Sequence, residues 1–240
     1  LASFYKEEPR LEHYGLMLDR IRSKKEHTLS PEGEQLLAAA GSMGQAPGNI
    51  FALMNNADLT FEEAVDSQGN THALSHGSYI ALMESDDRAL RASAFRNLYA
   101  GYGKLKNTCA AVLGAQMKQL QFFAEARHYP TALHAALADT EVPVEIYHNL
   151  IDTVHKNLPA MHRYVKLRKQ LMGVDELHYY DLYTPMVADA QMTVPFAQGK
   201  QLAMEALAPL GEEYLSILKE GFDNRWIDVY ENAGKRSGAY

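Results

Sequence analysis

The chain has 240 residues, 47% of them hydrophobic and 22% charged, and carries a net charge of −7. That length suits one large globular domain or two small ones around a substantial core. The acidic balance without a basic stripe excludes nucleic acid and an anionic membrane surface as natural partners, and no apolar run approaches the ~20 residues that span a bilayer.

Most of the chain reads as helix. From Pro9, the residues Leu11, Tyr14, Leu18 and Ile21 recur at helical spacing, with proline suited to a first turn. Ser30-Pro31 caps a second helix through Leu36, Leu37 and Ala40 that Gly41 should stop, and Pro47 opens a third through Phe51 and Met54. The Ser67-Gln68-Gly69-Asn70 turn signal then predicts a β-hairpin with strands Phe61–Val65 and Thr71–Leu74. Ser85 before Asp86 and Asp87 predicts a capped helix through Leu90, Phe95, Leu98 and Tyr102, and Asn107-Thr108 a long one to about Arg127. Pro143 begins a helix through Ile146, Leu150 and Val154. Pro159 is expected to separate it from another over Leu158–Leu171. Tyr179–Tyr183 reads as extended, Pro195–Leu207 and Gly211–Leu218 as helices, and Trp226–Tyr230 as a strand leading into a closing turn. The expected fold is mainly α, with helix pairs around one core and a little β.

Ten histidines and one cysteine are the first candidates for chemistry. Glu125-x-x-His128 and Glu145-x-x-His148 match the half-motif of helical di-metal carboxylate sites, because residues three apart share a helix face. Such a site also needs a Glu from each of two further helices, and His128 stands at a helix end before Tyr129-Pro130, so chance spacing is the favoured reading. His148, His155 and His162 recur every seven residues, but the expected break at Pro159 would divide the row, leaving solvated or core-edge imidazoles. His72-x3-His76 has no acidic third ligand nearby, which favours a structural or surface role. Cys109 excludes a disulfide framework or thiolate metal site within the chain and reads as a small buried group in a reducing compartment. The motifs H-E-x-x-H, the P-loop, the dinucleotide glycine fingerprint and G-x-S-x-G are all absent from the sequence.

The tail differs. Small residues in Gly234-Lys235-Arg236-Ser237-Gly238-Ala239-Tyr240 would let another backbone approach an edge strand, as peptide binding by strand addition requires. On pattern alone an ordinary structural hairpin is the simpler reading.

"RWIDVYENAGKRSGAY" (Arg225–Tyr240) resembles the segment just upstream of the zinc-binding helix in the oligoendopeptidase F family, and more distantly that of thimet oligopeptidase relatives. "HTLSPEGEQLLA", "NNADLTFEEAVDSQG", "DRALRASAFRNLYAGY", "KNTCAAVLGAQMKQLQFFAEARHYPTALHAAL" and "LPAMHRYVKLRKQLMGVDELHYYDLYTPM" resemble the same family, in family order, across nearly the whole chain. The resemblance implies a zinc metallo-endopeptidase that hydrolyses oligopeptides in a helical channel. Residues 1–74 would be the end of its N-terminal helical region, with the hairpin, and residues 75–240 the first part of its catalytic domain. The tail would begin a small active-site sheet. Gly238, Ala239 and Tyr240 match the edge strand that pairs with substrate backbone, and Gly234 to Ser237 the turn presenting it.

The family's H-E-x-x-H follows the equivalent of Tyr240, so catalytic and metal-ligating residues are expected to be none in this chain. A chain that starts without Met or signal-peptide core and stops inside this motif is expected to be a piece of a longer protein. One zinc ion is expected in the missing part of the parent. The chain alone is expected to be inactive and able to associate through exposed core surface. The resemblance also implies a cytoplasmic location. The alternative is a non-catalytic helical peptide-binding module.

Overall fold

The computed structural model describes residues 2–186, 194–230 and 235. The helices are α1 (Ala2–Glu7), α2 (Gly15–Ser23), α3 (Pro31–Gly44), α4 (Ala46–Leu53), α5 (His76–Met83) and α6 (Arg88–Lys104). They continue as α7 (Lys106–Ala126), α8 (Ala132–Ala138), α9 (Val144–Leu171), α10 (Phe196–Ala206) and α11 (Glu212–Asp223). A two-stranded antiparallel sheet pairs β1 (Ala64–Val65) with β2 (Thr71–His72) in the register Ala64↔His72 and Val65↔Thr71. The molecule is mainly α with a short hairpin, as expected.

The chain forms two compact units, each built from two stretches of sequence. The first is Leu1–Asn55 with Leu105–Tyr164, and the second is Asn56–Lys104 with Val165–Tyr240. In the first, α7 packs on α4 and α3. Leu37, Met54 and Ala124 are buried there. A Cβ on Gly44 would stand 2.9 Å from the Phe123 ring, so glycine is what lets the end of α3 sit against α7. Arg127 closes this packing: its Nη1 and Nη2 donate to the two Glu34 carboxylate oxygens at 2.8 and 2.9 Å.

In the second unit α6 is central, flanked by α5 and the hairpin. Ala64, Leu74, Leu90, Ala94 and Leu98 form its core, with Phe61, Tyr79, Leu82 and Tyr102 packed around them. The hairpin is fixed by polar contacts to α6. Ser93 Oγ accepts from the Val65 amide at 2.9 Å, Asp87 Oδ2 accepts from the Ser67 amide at 2.7 Å, and Asn97 Nδ2 donates to the Glu63 carbonyl at 2.8 Å. Within the turn, Asp66 accepts from the Gln68 and Asn70 amides and the Asn70 side chain, and meets His72 Nε2 at 3.1 Å. The Asn70 and His72 contacts, in that order, hold its carboxyl well below the usual carboxylate range.

Several sequence expectations need correction. Pro9–Tyr14 is a 3-10 turn, and the α-helix begins only at Gly15. Gly41 does not stop α3, which runs on to Gly44 because the packing against α7 outweighs one glycine's propensity cost. The strands of the hairpin are shorter than expected, two residues each. Asp87, not Ser85, caps α6: its Oδ1 accepts from the Ala89 amide at 2.8 Å, while Ser85 Oγ accepts from the Asp87 amide. Pro159 lies inside one uninterrupted helix of 28 residues. Its place on the polar side of α9 leaves the His155 carbonyl, which proline cannot serve, on an exposed residue open to water. Tyr179–Asp181 is a 3-10 turn, not an extended segment. Trp226–Tyr230 is not a strand, because no strand among the described residues lies beside it to complete a ladder.

Candidate functional site

The sequence-predicted substrate-binding residues Gly234, Ser237, Gly238, Ala239 and Tyr240 lie outside the described residues. Lys235 alone of that segment is described. Its Nζ donates to the carbonyls of Asp228 and Tyr230 at 2.5 and 2.9 Å and stands 3.4 Å from the Asp228 carboxylate. These contacts tie the Lys235 side chain to oxygens five and seven residues upstream.

The histidine constellations do not assemble. His128 takes a left-handed conformation, φ 59°, just beyond the end of α7, so Glu125 and His128 do not share a helix face. Glu125 instead accepts from Gln121 Nε2 at 2.7 Å. Glu145 and His148 do share α9, where both are exposed. His148, His155 and His162 lie along one exposed side of the same continuous helix. His72 is engaged with Asp66, and His76 Nε2 lies 2.8 Å from the Tyr102 hydroxyl, so the two serve different partners. Among the described residues no group of three or more His, Cys, Asp and Glu side chains could hold a metal ion. The residues described here therefore do not fit a zinc centre. Cys109 is half-buried in α7.

The sequence reading missed the strongest electrostatic feature, in the second unit. Asp181 is fully buried and its carboxylate is shared by two arginines of α6. Arg88 Nε and Nη2 donate to Oδ1 and Oδ2 at 3.1 and 2.9 Å, and Arg91 Nη2 donates to Oδ1 at 2.8 Å. The His178 amide adds a donor to Oδ2 at 3.0 Å. Arg91, also buried, spends its other donors on the carbonyls of Ser85, Asp86 and Tyr180. Arg168, from the end of α9, donates to the carbonyls of Asp181 and Thr184. Burial pushes the Asp181 carboxyl up, but the Arg88 and Arg91 hydrogen bonds outweigh it and hold the group at about 2. A carboxylate so fully paired is no general base at neutral pH; it fixes the loop between α9 and residue 186 onto α6. The signal in sequence was an arginine, Arg91, on the apolar face of a helix otherwise carrying Leu90, Ala94 and Leu98.

Beside this cluster runs an aromatic face. Phe95 stacks parallel to Tyr179 with centroids 6.4 Å apart and meets Tyr99 at 4.6 Å. Tyr99, Tyr179 and Tyr183 are exposed. Burial, with Tyr99 and Tyr183 nearby, pushes the Tyr79 hydroxyl up to about 12.

The first unit contains a cavity of about 450 Å³ floored by Leu120, Phe123 and Ala135. His27 stacks on Tyr129 at its edge, centroids 3.6 Å apart, and Nδ1 of His27 donates to the Arg127 carbonyl at 2.8 Å. Across the rim Lys24 pairs with Asp139 at 2.7 Å. These polar groups satisfy one another and leave no nucleophile with an adjacent base.

Residues 81–240 match peptidase family M3, and residues 1–61 match the family described as oligopeptidase F. The chain is 45% identical over 240 residues to oligopeptidase PepF of Bacillus subtilis, covering all of this chain and 36% of that protein. It is 39% identical over 238 residues to the group B oligopeptidase PepB of Streptococcus agalactiae, covering 99% of this chain and 39% of that one. Among solved structures it superposes on oligoendopeptidase-F from Enterococcus faecium with a TM-score of 0.73 and 42% identity, over 93% of this chain and 42% of the other. The chain thus spans between a third and two fifths of the length of the curated relatives it matches. With two thirds of its residues inside one family match, and a mainly helical fold shared with an oligoendopeptidase F, the chain belongs to peptidase family M3.

Proposed function

We propose that this chain is part of a zinc metallo-endopeptidase that hydrolyses oligopeptides, and that it supplies scaffold and substrate-binding surface, not the catalytic centre. The observation that carries this reading is the family match over residues 81–240, together with a span of 36% of the PepF relative. Separate matches over residues 1–61 and 81–240 support a division near residue 74 between an N-terminal helical region and the first part of a catalytic domain. The zinc is assigned to residues outside this chain, since the donor set described here does not fit it.

On this reading Gly238, Ala239 and Tyr240 present main-chain donors and acceptors to an extended peptide. Gly234 and Ser237 belong to the turn that aims them. Backbone pairing reads length and extension more than side-chain identity, which is what a peptidase of broad oligopeptide specificity needs. Membership of this peptidase family supports a cytoplasmic location for the intact protein.

The test is cleavage of an internally quenched peptide by the intact protein and by this chain alone. The intact protein should cleave it and lose that activity to a chelator, and this chain should not cleave it. Turnover by this chain alone would overturn the assignment. Binding without turnover by the intact protein would favour the non-catalytic peptide-binding module instead.

A further inference from the structure

The cavity of the first unit is bounded by that unit alone. Its walls are the 3-10 turn Lys24–His27, helices α7 and α8, and Tyr129 between the two helices. Its volume of about 450 Å³ falls in the range of small-molecule pockets. A cavity of ~150 Å³ already takes up benzene, so there is room here for a ring and a polar head group. Leu120 and Phe123 give the floor its apolar surface, and Ala124, Ala132, Ala135 and Ala136 keep the space open. A larger side chain at any of these four would close it, and protein interiors are otherwise packed to the density of organic crystals. Three aromatic residues, Phe123, His27 and Tyr129, line the cavity, and flat rings pack favourably on other rings.

The rim supplies the polar half of the recognition. Lys24 and Asp139 place opposite charges 2.7 Å apart there. Their bond satisfies both charges, but it engages only one of three ammonium donors and one of two carboxylate oxygens. Neither group has another side-chain hydrogen bond among the described residues. Arg127, the third cation of the lining, is committed to Glu34 and to the His27 carbonyl. A ligand bearing only a carboxylate would repel Asp139, and one bearing only an ammonium would repel Lys24. A ligand that bears both meets each with its opposite.

We infer that this cavity binds a small zwitterion with an aromatic side chain, of the chemical class of a free aromatic amino acid. The ligand carboxylate takes the spare donors of Lys24, its ammonium takes the second oxygen of Asp139, and its ring lies on the floor with Leu120 and Phe123. The inference rests on the lining of the first unit and stands apart from the peptidase reading.

The experiment is calorimetric titration of the intact protein with L-phenylalanine, beside three probes that each lack one element. Phenylalaninamide lacks the carboxylate, N-acetylphenylalanine lacks the ammonium, and L-alanine lacks the ring. L-Phenylalanine should bind saturably and one to one, at least ~10-fold more tightly than any of the three, since each lost charged contact or buried ring is worth about that much. Two variants locate the binding. Ala135→Trp fills the cavity without touching a charge and should abolish it; Lys24→Met removes the rim cation and should weaken it at least ~10-fold. No saturable binding of L-phenylalanine would overturn the inference. So would equal binding of any of the three probes, or binding that both variants leave unaltered, which would put the ligand elsewhere on the protein. The readout needs no turnover: a protein that binds but cleaves nothing would remove the peptidase reading alone, and an active one that does not bind would remove this inference alone.

Discussion

Arg91 and Asp181 meet at 2.8 Å with both side chains shut away from water, although ninety residues separate them in sequence. Burying two charges is costly, and the contact persists because each charge is fully paired: Asp181 by two guanidiniums and an amide, Arg91 by three carbonyls besides the carboxylate. Removing one partner is therefore worse than never having had either. Asp181→Asn, which keeps the shape and removes the charge, should destabilise the second unit by about 3–5 kcal/mol. Urea denaturation should show it, and amide exchange should rise in α6 before it rises in α7.

The same carboxyl predicts an acid dependence. Its folded value of about 2 lies below the ~3.9 of an unfolded aspartate. A depressed value means stability that is fully present above pH ~4 and is lost as pH falls from ~4 to ~2, amounting to about 2–3 kcal/mol. Other carboxyls titrate in the same window, so the diagnostic quantity is a difference. The denaturation midpoint of the native sequence should fall more steeply between pH 4 and 2 than that of Asp181→Asn.

Two glycines in the last turn of α6 should respond to alanine with opposite sign. A Cβ on Gly101 would lie 2.8 Å from the Phe61 ring, inside contact distance, whereas nothing lies within 4 Å of one on Gly103. Gly103→Ala should gain about 0.5–1 kcal/mol from helix propensity alone. Gly101→Ala should lose about 1–3 kcal/mol, because the ring and the Thr60 backbone behind it must shift. Thermal unfolding of the two variants side by side decides it; a gain at both positions would show that Phe61 yields freely.

Pro159 invites a third comparison. It removes a donor and crowds the His155 carbonyl in the middle of α9. Pro159→Ala should restore that hydrogen bond and stabilise the helix by about 1–3 kcal/mol, less whatever proline saves in the unfolded chain. Slower amide exchange on both sides of residue 159 would report it.

For the substrate strand, Gly238→Pro in the intact protein removes a main-chain donor from the proposed edge. Loss of one such bond in a dry site costs about 1–3 kcal/mol, so kcat/KM for oligopeptides should fall roughly tenfold to a hundredfold. Metal content should stay unchanged. An unaltered kcat/KM would remove Gly238 from the substrate contact.

How much of this was legible in advance follows the range of the interactions. Local signals served well: Ser30 before Pro31, the Ser67–Asn70 turn and the spacing of Leu90, Phe95, Leu98 and Tyr102 all correspond to elements found. Boundaries failed where tertiary packing overrode local preference, as at Gly41, or where a local breaker sat on a solvent-facing side, as at Pro159. The Asp181 cluster was invisible because its members come from three segments, at residues 88–91, 168 and 181, and no spacing rule joins them. Glu125 and His128 show the converse: a valid spacing emptied of meaning by one left-handed residue. The tail is legible as a substrate strand only through family resemblance, since pattern alone favours an ordinary structural hairpin.

Because each compact unit is stitched from two separated stretches, neither can be completed in the order in which the chain is made. Leu37 and Met54 must wait for Ala124, by which time the forty-nine residues from Asn56 to Lys104 have emerged in between. At 5–20 residues per second, that delay is several seconds, long against the microseconds of helix formation. During it, α3 and α4 hold an apolar surface with no permanent partner. Substitutions that leave the finished structure untouched but expose more of that surface should therefore act on yield before they act on stability.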